Sequence, residues 1–317
     1  MPRTTVVMLT WNALQFTQIS LNSLFNSKED FDLIIFDNGS NEETKKYLQS
    51  ITNEPRLKQI IYSNKNLGVW QGRYQAVQKV STELLCFIDN DVYFPSNWLK
   101  SMEKMFRDDL KLGEVGPLKL SKHLRHPYKN SDVKSFWHEC ERTESNPQKQ
   151  LTNFTMGRNF DQFVKDVVSA NKKSEKELEI PTRSIGGSIM MTRTDLYNNS
   201  QLNDNTYSKF KYGLEDMDYS WSLFDAGYKV LKCTDVYVHH FEHSSVGDNN
   251  LKIDDKGNNQ GLIYFTSKWK NLIIDWVNQK KLSGISLEKI KNDEFISLIL
   301  RAIFNEIPHE LKNALQI

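Results

Sequence analysis

The stretch Leu84-Leu85-Cys86-Phe87-Ile88-Asp89-Asn90-Asp91 decides how this chain is read. Five apolar residues in a row, stopped at once by a polar triplet, mark a short strand buried on both faces. Upstream, Thr5 to Thr10 is a β-rich run, and Asp32 to Phe36 is a second, closed by the turn-forming Asp37-Asn38-Gly39-Ser40. Gln59 to Tyr62 is a third. Helical spacing fills the intervals: Phe16 to Phe25, residues 41–51 with Asn41 as N-cap, and Val69 to Val80. Ser96 to Phe106 reads as a further helix, and Val115 opens a further strand. Strands alternating with helices through short connections predict an α/β fold, with a parallel sheet covered on both faces. Ligands bind such sheets outside the carboxyl ends of the strands. Thr10-Trp11-Asn12, Asp37-Asn38-Gly39-Ser40 and Asp89-Asn90-Asp91 are therefore expected to converge on one edge.

Beyond Lys119 the periodicity weakens, and residues 119–181 read as a polar insertion with scattered aromatics and a helix somewhere between Phe154 and Ala170. The pattern sharpens again at Ile185-Gly186-Gly187-Ser188. Leu214-Glu215-Asp216-Met217-Asp218 then opens a helix that ends near Gly227, a C-cap. Tyr228 to Leu231 and Val236 to His239 are expected as two short strands, and residues 261–278 and 286–315 as amphipathic helices.

Composition narrows the function. Lys and Arg total 41 against 40 for Asp and Glu, a balance unlike a polybasic nucleic-acid coat or membrane arm. No apolar run has the roughly 20 residues a membrane span needs, and the start lacks a signal-peptide core. Three widely spaced cysteines, Cys86, Cys140 and Cys233, suit reduced thiols and a cytoplasmic setting.

The polar clusters carry the chemistry. Asp89 and Asp91, two carboxylates where a buried strand ends, suit a hard divalent cation whose shell keeps phosphate oxygens; an Asx turn uses the same residues. Glu215 and Asp216 at a helix start suit a general base, or simple capping favoured by the helix dipole. Gly213 and Asp218 flank them in what reads as a tight loop. His239-His240-Phe241-Glu242-His243 holds three of the seven histidines, and strand alternation sends His239 and His240 to opposite faces. Asn66-Leu67-Gly68 precedes a helix whose N-terminus, with Arg73, suits a diphosphate. Gly187, beside Gly186, permits close backbone approach to a ligand.

In this order along residues 4–270, these motifs resemble the inverting GT-A glycosyltransferases of family 2. The segments that carry the likeness are Val6-Val7-Met8-Leu9-Thr10-Trp11-Asn12, Asp37-Asn38-Gly39-Ser40, Asn66-Leu67-Gly68, Asp89-Asn90-Asp91, Gly186-Gly187, Glu215-Asp216-Met217-Asp218, the histidine cluster before Ser244-Ser245, and Tyr264-Phe265 with Lys268-Trp269. The resemblance implies a mixed, mostly parallel Rossmann-like sheet in a domain of residues 1–270, with 119–181 an acceptor-side insertion and 271–317 a helical extension. It implies an Mn2+ or Mg2+ ion and a nucleotide-sugar donor, a UDP-sugar first. Asp37 would read the base, with Thr10 and Asn12 lining the pocket and Asp89 beside Asn90 near the ribose. Asn66, Gly68, Arg73 and Gly187 would complete the donor site. Asp91 and His240 would hold the metal, with His239 and His243 open alternatives, and Asp216, with Glu215, would supply the base.

A sugar-phosphate nucleotidyltransferase is the competing enzyme class, but Thr10-Trp11-Asn12 holds neither the glycine nor the lysine of a phosphate loop. A degenerate sugar- or nucleotide-binding module is the non-catalytic alternative. The acceptor is expected to be a glycan, a protein or a modified base in DNA. Lys119, Lys122, Arg125, Lys129 and Lys134, interleaved with Tyr128, Phe136 and Trp137, would give either a basic-aromatic surface or a solvated loop.

Overall fold

The structure is a computed structural model and describes residues 3–171, 183–200, 207, 214–242 and 255–317, with side chains in the last segment from residue 260. Gly213, His243 and the Ser244-Ser245 pair lie outside the described residues.

Seven strands form one sheet in the order β3-β2-β1-β4-β7-β6-β8. They are β1 (Thr4–Thr10), β2 (Asp32–Asp37), β3 (Leu57–Tyr62), β4 (Leu84–Asp89), β6 (Leu112–Leu118), β7 (Ile189–Arg193) and β8 (Lys229–Tyr237). β1 to β4 pair in parallel, β7 runs antiparallel to both β4 and β6, and β6 pairs in parallel with β8. The sheet is thus mixed and mostly parallel, as the resemblance implies, and β7 is the reversed strand that the alternation of strands and helices alone did not indicate. A separate two-stranded ribbon pairs β5 (Val92–Tyr93) with β9 (His239–His240).

Helices follow the strands closely: α1 (Leu14–Asn26), α2 (Glu42–Ser50), α3 (Val69–Val77) and α4 (Trp98–Asp108). Asn41 caps α2 by accepting from the Thr44 amide at 2.9 Å, as its sequence position predicts. The strands expected at Tyr228 to Leu231 and Val236 to His239 are instead one long strand, β8, as far as Tyr237, with His239 falling in β9. The polar Thr234-Asp235 sits where the β6–β8 register slips between Pro117 and Leu118, so it makes an irregularity within a strand rather than a turn.

Residues 119–171, read as part of a polar insertion, hold more helix than their composition suggests. They fold as α5 (Val133–Thr143), α6 (Pro147–Phe154) and α7 (Phe160–Ala170), with Met156 and Gly157 at positive φ separating the last two. Their core is Val133, Phe136, Trp137, Phe154, Phe163 and Val167. Phe136 and Trp137 are therefore interior residues, which rules out their share of a basic-aromatic surface.

After the short α8 (Thr194–Asn198), α9 (Glu215–Asp225) ends in Gly227 at φ +83°. α10 (Asp255–Lys268), α11 (Lys270–Leu282), α12 (Leu287–Lys291), α13 (Glu294–Ala302) and α14 (His309–Leu315) complete the chain. They share a core with α9, in which Trp221, Phe265, Ile273, Phe295 and Ile299 are buried. Among the described residues, no helix is long and apolar enough to cross a membrane.

Candidate active site

A cavity of about 410 Å³ opens at the carboxyl edge of the sheet. Its wall contains Asn66, Gly68, Arg73, Asp89, Asn90, Asp91, Gly187, Glu215, Asp216 and His240. The strand-end rule thus brings ten of the expected residues to one place. Thr10, Asn12 and Asp37 stand behind the wall, while their neighbours Trp11 and Asn38 are in it.

The loops on that side are tied by short polar bonds. Asn12, at φ +53°, accepts the Asn41 amide on Oδ1 at 2.7 Å and donates its own amide to Ser40 Oγ at 2.8 Å. Asn38 donates to Asn66 Oδ1 and the Gly68 carbonyl, both at 3.1 Å, and accepts the Leu67 amide at 2.8 Å. Asn90 donates to Thr17 Oγ1 at 2.7 Å. Asp37 accepts the Ser40 amide on one oxygen; its Oδ2 and the Thr10 hydroxyl are buried without a partner among the described residues. Burial pushes the Asp37 carboxyl above its ordinary pKa.

The β5–β9 ribbon sets Val92 opposite His240, and His240 Nε2 comes within 3.1 Å of Asp91 Oδ1. Asp89, Asp91 and His240 each present one ligand atom, all within 4.8 Å of one another. Burial opposes charge on His240, but Asp91 beside it raises the imidazole above its ordinary pKa. Burial, with the charge of Asp91, pushes the Asp89 carboxyl up against the pull of Arg73. Two crowded carboxylates and one imidazole are a donor set that suits Mn2+ or Mg2+. Asp89, expected near the ribose, thus lies in one cluster with Asp91 and His240. His239, on the opposite face, is sealed against Trp137 with ring centroids 4.1 Å apart and does not join the cluster.

Arg73 is buried on α3 and turned inward. Its Nη2 donates to Asp89 Oδ1 at 3.1 Å and to the Gly187 carbonyl at 2.6 Å, and Nη1 lies 3.9 Å from Glu215 Oε1. The guanidinium packs over the Phe87 ring. It braces the cavity wall as a strut between these groups.

On the far side, Asp216 accepts the Gly187 amide on Oδ2 and the Met217 amide on Oδ1, both at 2.7 Å. Glu215 precedes it at the N-terminus of α9, where the helix dipole favours acids. Burial, reinforced by the charge of Asp216, raises the Glu215 carboxyl to about 7, with Arg73 opposing. A Cβ on Gly187 would lie 2.7 Å from Arg73 Nη1, so a side chain there must displace that guanidinium.

Further residues of this site carried no assigned role in the sequence reading. Trp11 and Ser188 line the cavity, and Lys119 bonds the turn that forms part of its wall. Lys119 directly follows β6, so the strand-end rule that found Asp89 also points to it.

The fold is the GT-A type. It is similar to a mannosyltransferase from Pyrobaculum calidifontis solved with GDP-Man and Mn2+: TM-score 0.53, 13% identity, over 85% of this chain and 64% of that one. The chain thus spans somewhat less than two thirds of that enzyme's length. It is also similar to S. aureus TarS 1-349 solved with UDP-GlcNAc, with TM-score 0.56, 16% identity, and coverage of 99% and 79%. Residues 5–167, just over half of the chain, match the model of Glycosyl transferase family 2. The chain belongs to this family.

Proposed function

We propose that the protein is an inverting glycosyltransferase, moving a sugar from a nucleoside-diphosphate sugar to an acceptor hydroxyl. The observation that carries this is the placement of Asp216 across one cavity from the Asp89, Asp91 and His240 cluster. A full acidic and histidine complement supports an active enzyme over a binding module.

Asp89, Asp91 and His240 would hold the ion; when bound, Mn2+ or Mg2+ supplies positive charge to a diphosphate leaving group. Asp216 takes the proton of the acceptor hydroxyl, whose oxygen attacks the anomeric carbon as the bond to the diphosphate oxygen breaks. One displacement inverts that carbon and releases the nucleoside diphosphate. The Gly187 and Met217 amides hold both oxygens of Asp216 and fix its direction. Trp11 offers an aromatic wall to a base, and Asp37, whose Oδ2 has no partner among the described residues, is our candidate for reading it.

UDP is our reading for the donor, since TarS is solved with UDP-GlcNAc; the mannosyltransferase, solved with GDP-Man, makes GDP the alternative. The acceptor belongs among glycans, proteins and modified DNA, with residues 119–181 on its side and 271–317 as a helical extension of domain 1–270. Cys86, Cys140 and Cys233 are all buried and widely spaced in sequence, and a reducing cytoplasmic setting is our reading for them.

The test is a panel of UDP-, GDP- and dTDP-sugars, with Mn2+ or chelator, followed by release of nucleoside diphosphate. Metal-dependent turnover of one donor is expected. Asp216→Asn is expected to abolish transfer while retaining donor binding; transfer by that variant at the wild-type rate defeats the assignment.

A further inference from the structure

The turn Gly186-Gly187-Ser188 touches both halves of the site. The Gly187 amide bonds Asp216, its carbonyl bonds Arg73, and the Ser188 carbonyl accepts the Asp89 amide at 3.0 Å. Two adjacent glycines cannot hold such a turn by themselves, because each has wide backbone freedom. Something outside must hold it.

Lys119 does so from the end of β6. Its Nζ donates to the Gly186 carbonyl and to Ser188 Oγ, each at 2.9 Å, and so bridges the two residues on either side of Gly187. The far end of the turn is tied to the same strand. The Ile185 amide donates to Ser220 Oγ at 3.2 Å, and that hydroxyl donates to Glu114 Oε2, on β6, at 2.6 Å. β6 is thus the ruler against which the turn is set, and Lys119 is its clamp nearest the chemistry.

We propose that Lys119 is a positioning residue for the transfer reaction, clamping the Gly186–Ser188 turn so that the Gly187 amide aims Asp216 at the acceptor hydroxyl. The proposal rests on the reading of Asp216 as the base. Lys119 acts through the turn and touches no reacting atom.

The charges facing Lys119 are Asp216 on α9, Asp89 at the end of β4, Lys232 on β8 and Glu242 after β9. Burial lowers the ammonium to about 8 against the pull of the carboxylates, so it is charged at neutral pH. Its removal takes away two hydrogen bonds, strands the Gly186 carbonyl, and deletes a positive charge facing Asp216.

Lys119→Met and Lys119→Arg test this in the full chain, with two readouts. In the kinetic arm, Lys119→Met is expected to lower kcat at pH 7 about a hundredfold, with donor KM changed less than about threefold. The acid limb of its kcat–pH profile should move to higher pH, and Lys119→Arg should restore most of both. In the second arm, amide hydrogen exchange at Gly187 should speed at least about tenfold in Lys119→Met but not in Lys119→Arg. An unmoved acid limb together with unchanged Gly187 exchange overturns the proposal, as does equal loss in both variants tracking their melting temperatures. A wild type that turns over no nucleotide sugar defeats the transferase reading instead. The exchange arm then still decides whether Lys119 clamps the turn.

Discussion

Asp91 and His240 lie across the two-residue β5–β9 ribbon, with His240 Nε2 3.1 Å from Asp91 Oδ1. The ribbon brings together residues far apart in the chain, so the donor set forms only in the folded protein. A cation bound there stabilises the fold by mass action. Wild type should gain several degrees in melting temperature with millimolar Mn2+ and lose them to chelator. Asp91→Ala should show no such gain, and an Mn2+ shift as large as that of wild type would place the metal elsewhere.

Gly187 leaves no room for a side chain. An added Cβ would lie 2.7 Å from Arg73 Nη1 and 3.1 Å from Nη2, and that guanidinium is held by Asp89 and by the Gly187 carbonyl. Gly187→Ala must therefore displace either the strut or the amide on Asp216. A loss of about 1–3 kcal/mol in stability is expected, with at least a tenfold fall in kcat. Gly186→Ala, whose Cβ would meet only Lys119 Nζ at 3.1 Å, should cost less in both. Denaturant midpoints and kcat for the two variants check the order.

Much of this was legible in the chain, for physical reasons that also explain the gaps. β1, β2 and β4 are apolar runs cut by turn residues, so their ends and the polar clusters beyond them could be read directly. The reversal of β7 could not, because a strand's own pattern is the same in either direction and only its partners differ. α5 did carry a signal, with Val133, Phe136, Trp137 and Cys140 at helical spacing behind the N-cap Asp132, but polar neighbours diluted it. In the site, the strand-end rule finds the edge and not the direction of each side chain. Thr10 and Asp37 therefore stand behind the wall, and Arg73 points at Asp89 instead of into open space. Lys119 was read with the basic residues of the insertion because its partners, Gly186 and Ser188, are remote in sequence.

Glu215 makes stability depend on pH. Its folded carboxyl sits at about 7, raised from the ordinary 4.5 by burial and by Asp216. The folded state therefore holds this proton more tightly than the unfolded chain does. The stabilisation is fully present below pH 4.5 and is lost as pH rises through 7. Its size is on the order of 3 kcal/mol. Glu215→Gln, which cannot ionise, should flatten the change in urea midpoint between pH 5 and pH 8. An unaltered pH dependence in that variant would show that another group is responsible.

Asp218 joins the helix of Asp216 to the C-terminal helices. Fully buried, it accepts from Trp269 Nε1 at 2.6 Å, Tyr207 Oη at 2.7 Å and Lys268 Nζ at 2.9 Å. Removing one partner from a buried ion pair leaves the other charge uncompensated, at a typical cost of about 3–5 kcal/mol. Asp218→Ala should therefore unfold at markedly lower denaturant than wild type. Lys268→Met should also be destabilising, because it leaves the Asp218 charge fully buried with two neutral donors and no counter-ion. Since α9 also carries Asp216, kcat should fall in Asp218→Ala even at temperatures where the variant remains folded. A double-mutant cycle between Asp218 and Lys268 measures the coupling. Additive effects there would mean that Trp269 and Tyr207, and not the ion pair, hold α9 to α10.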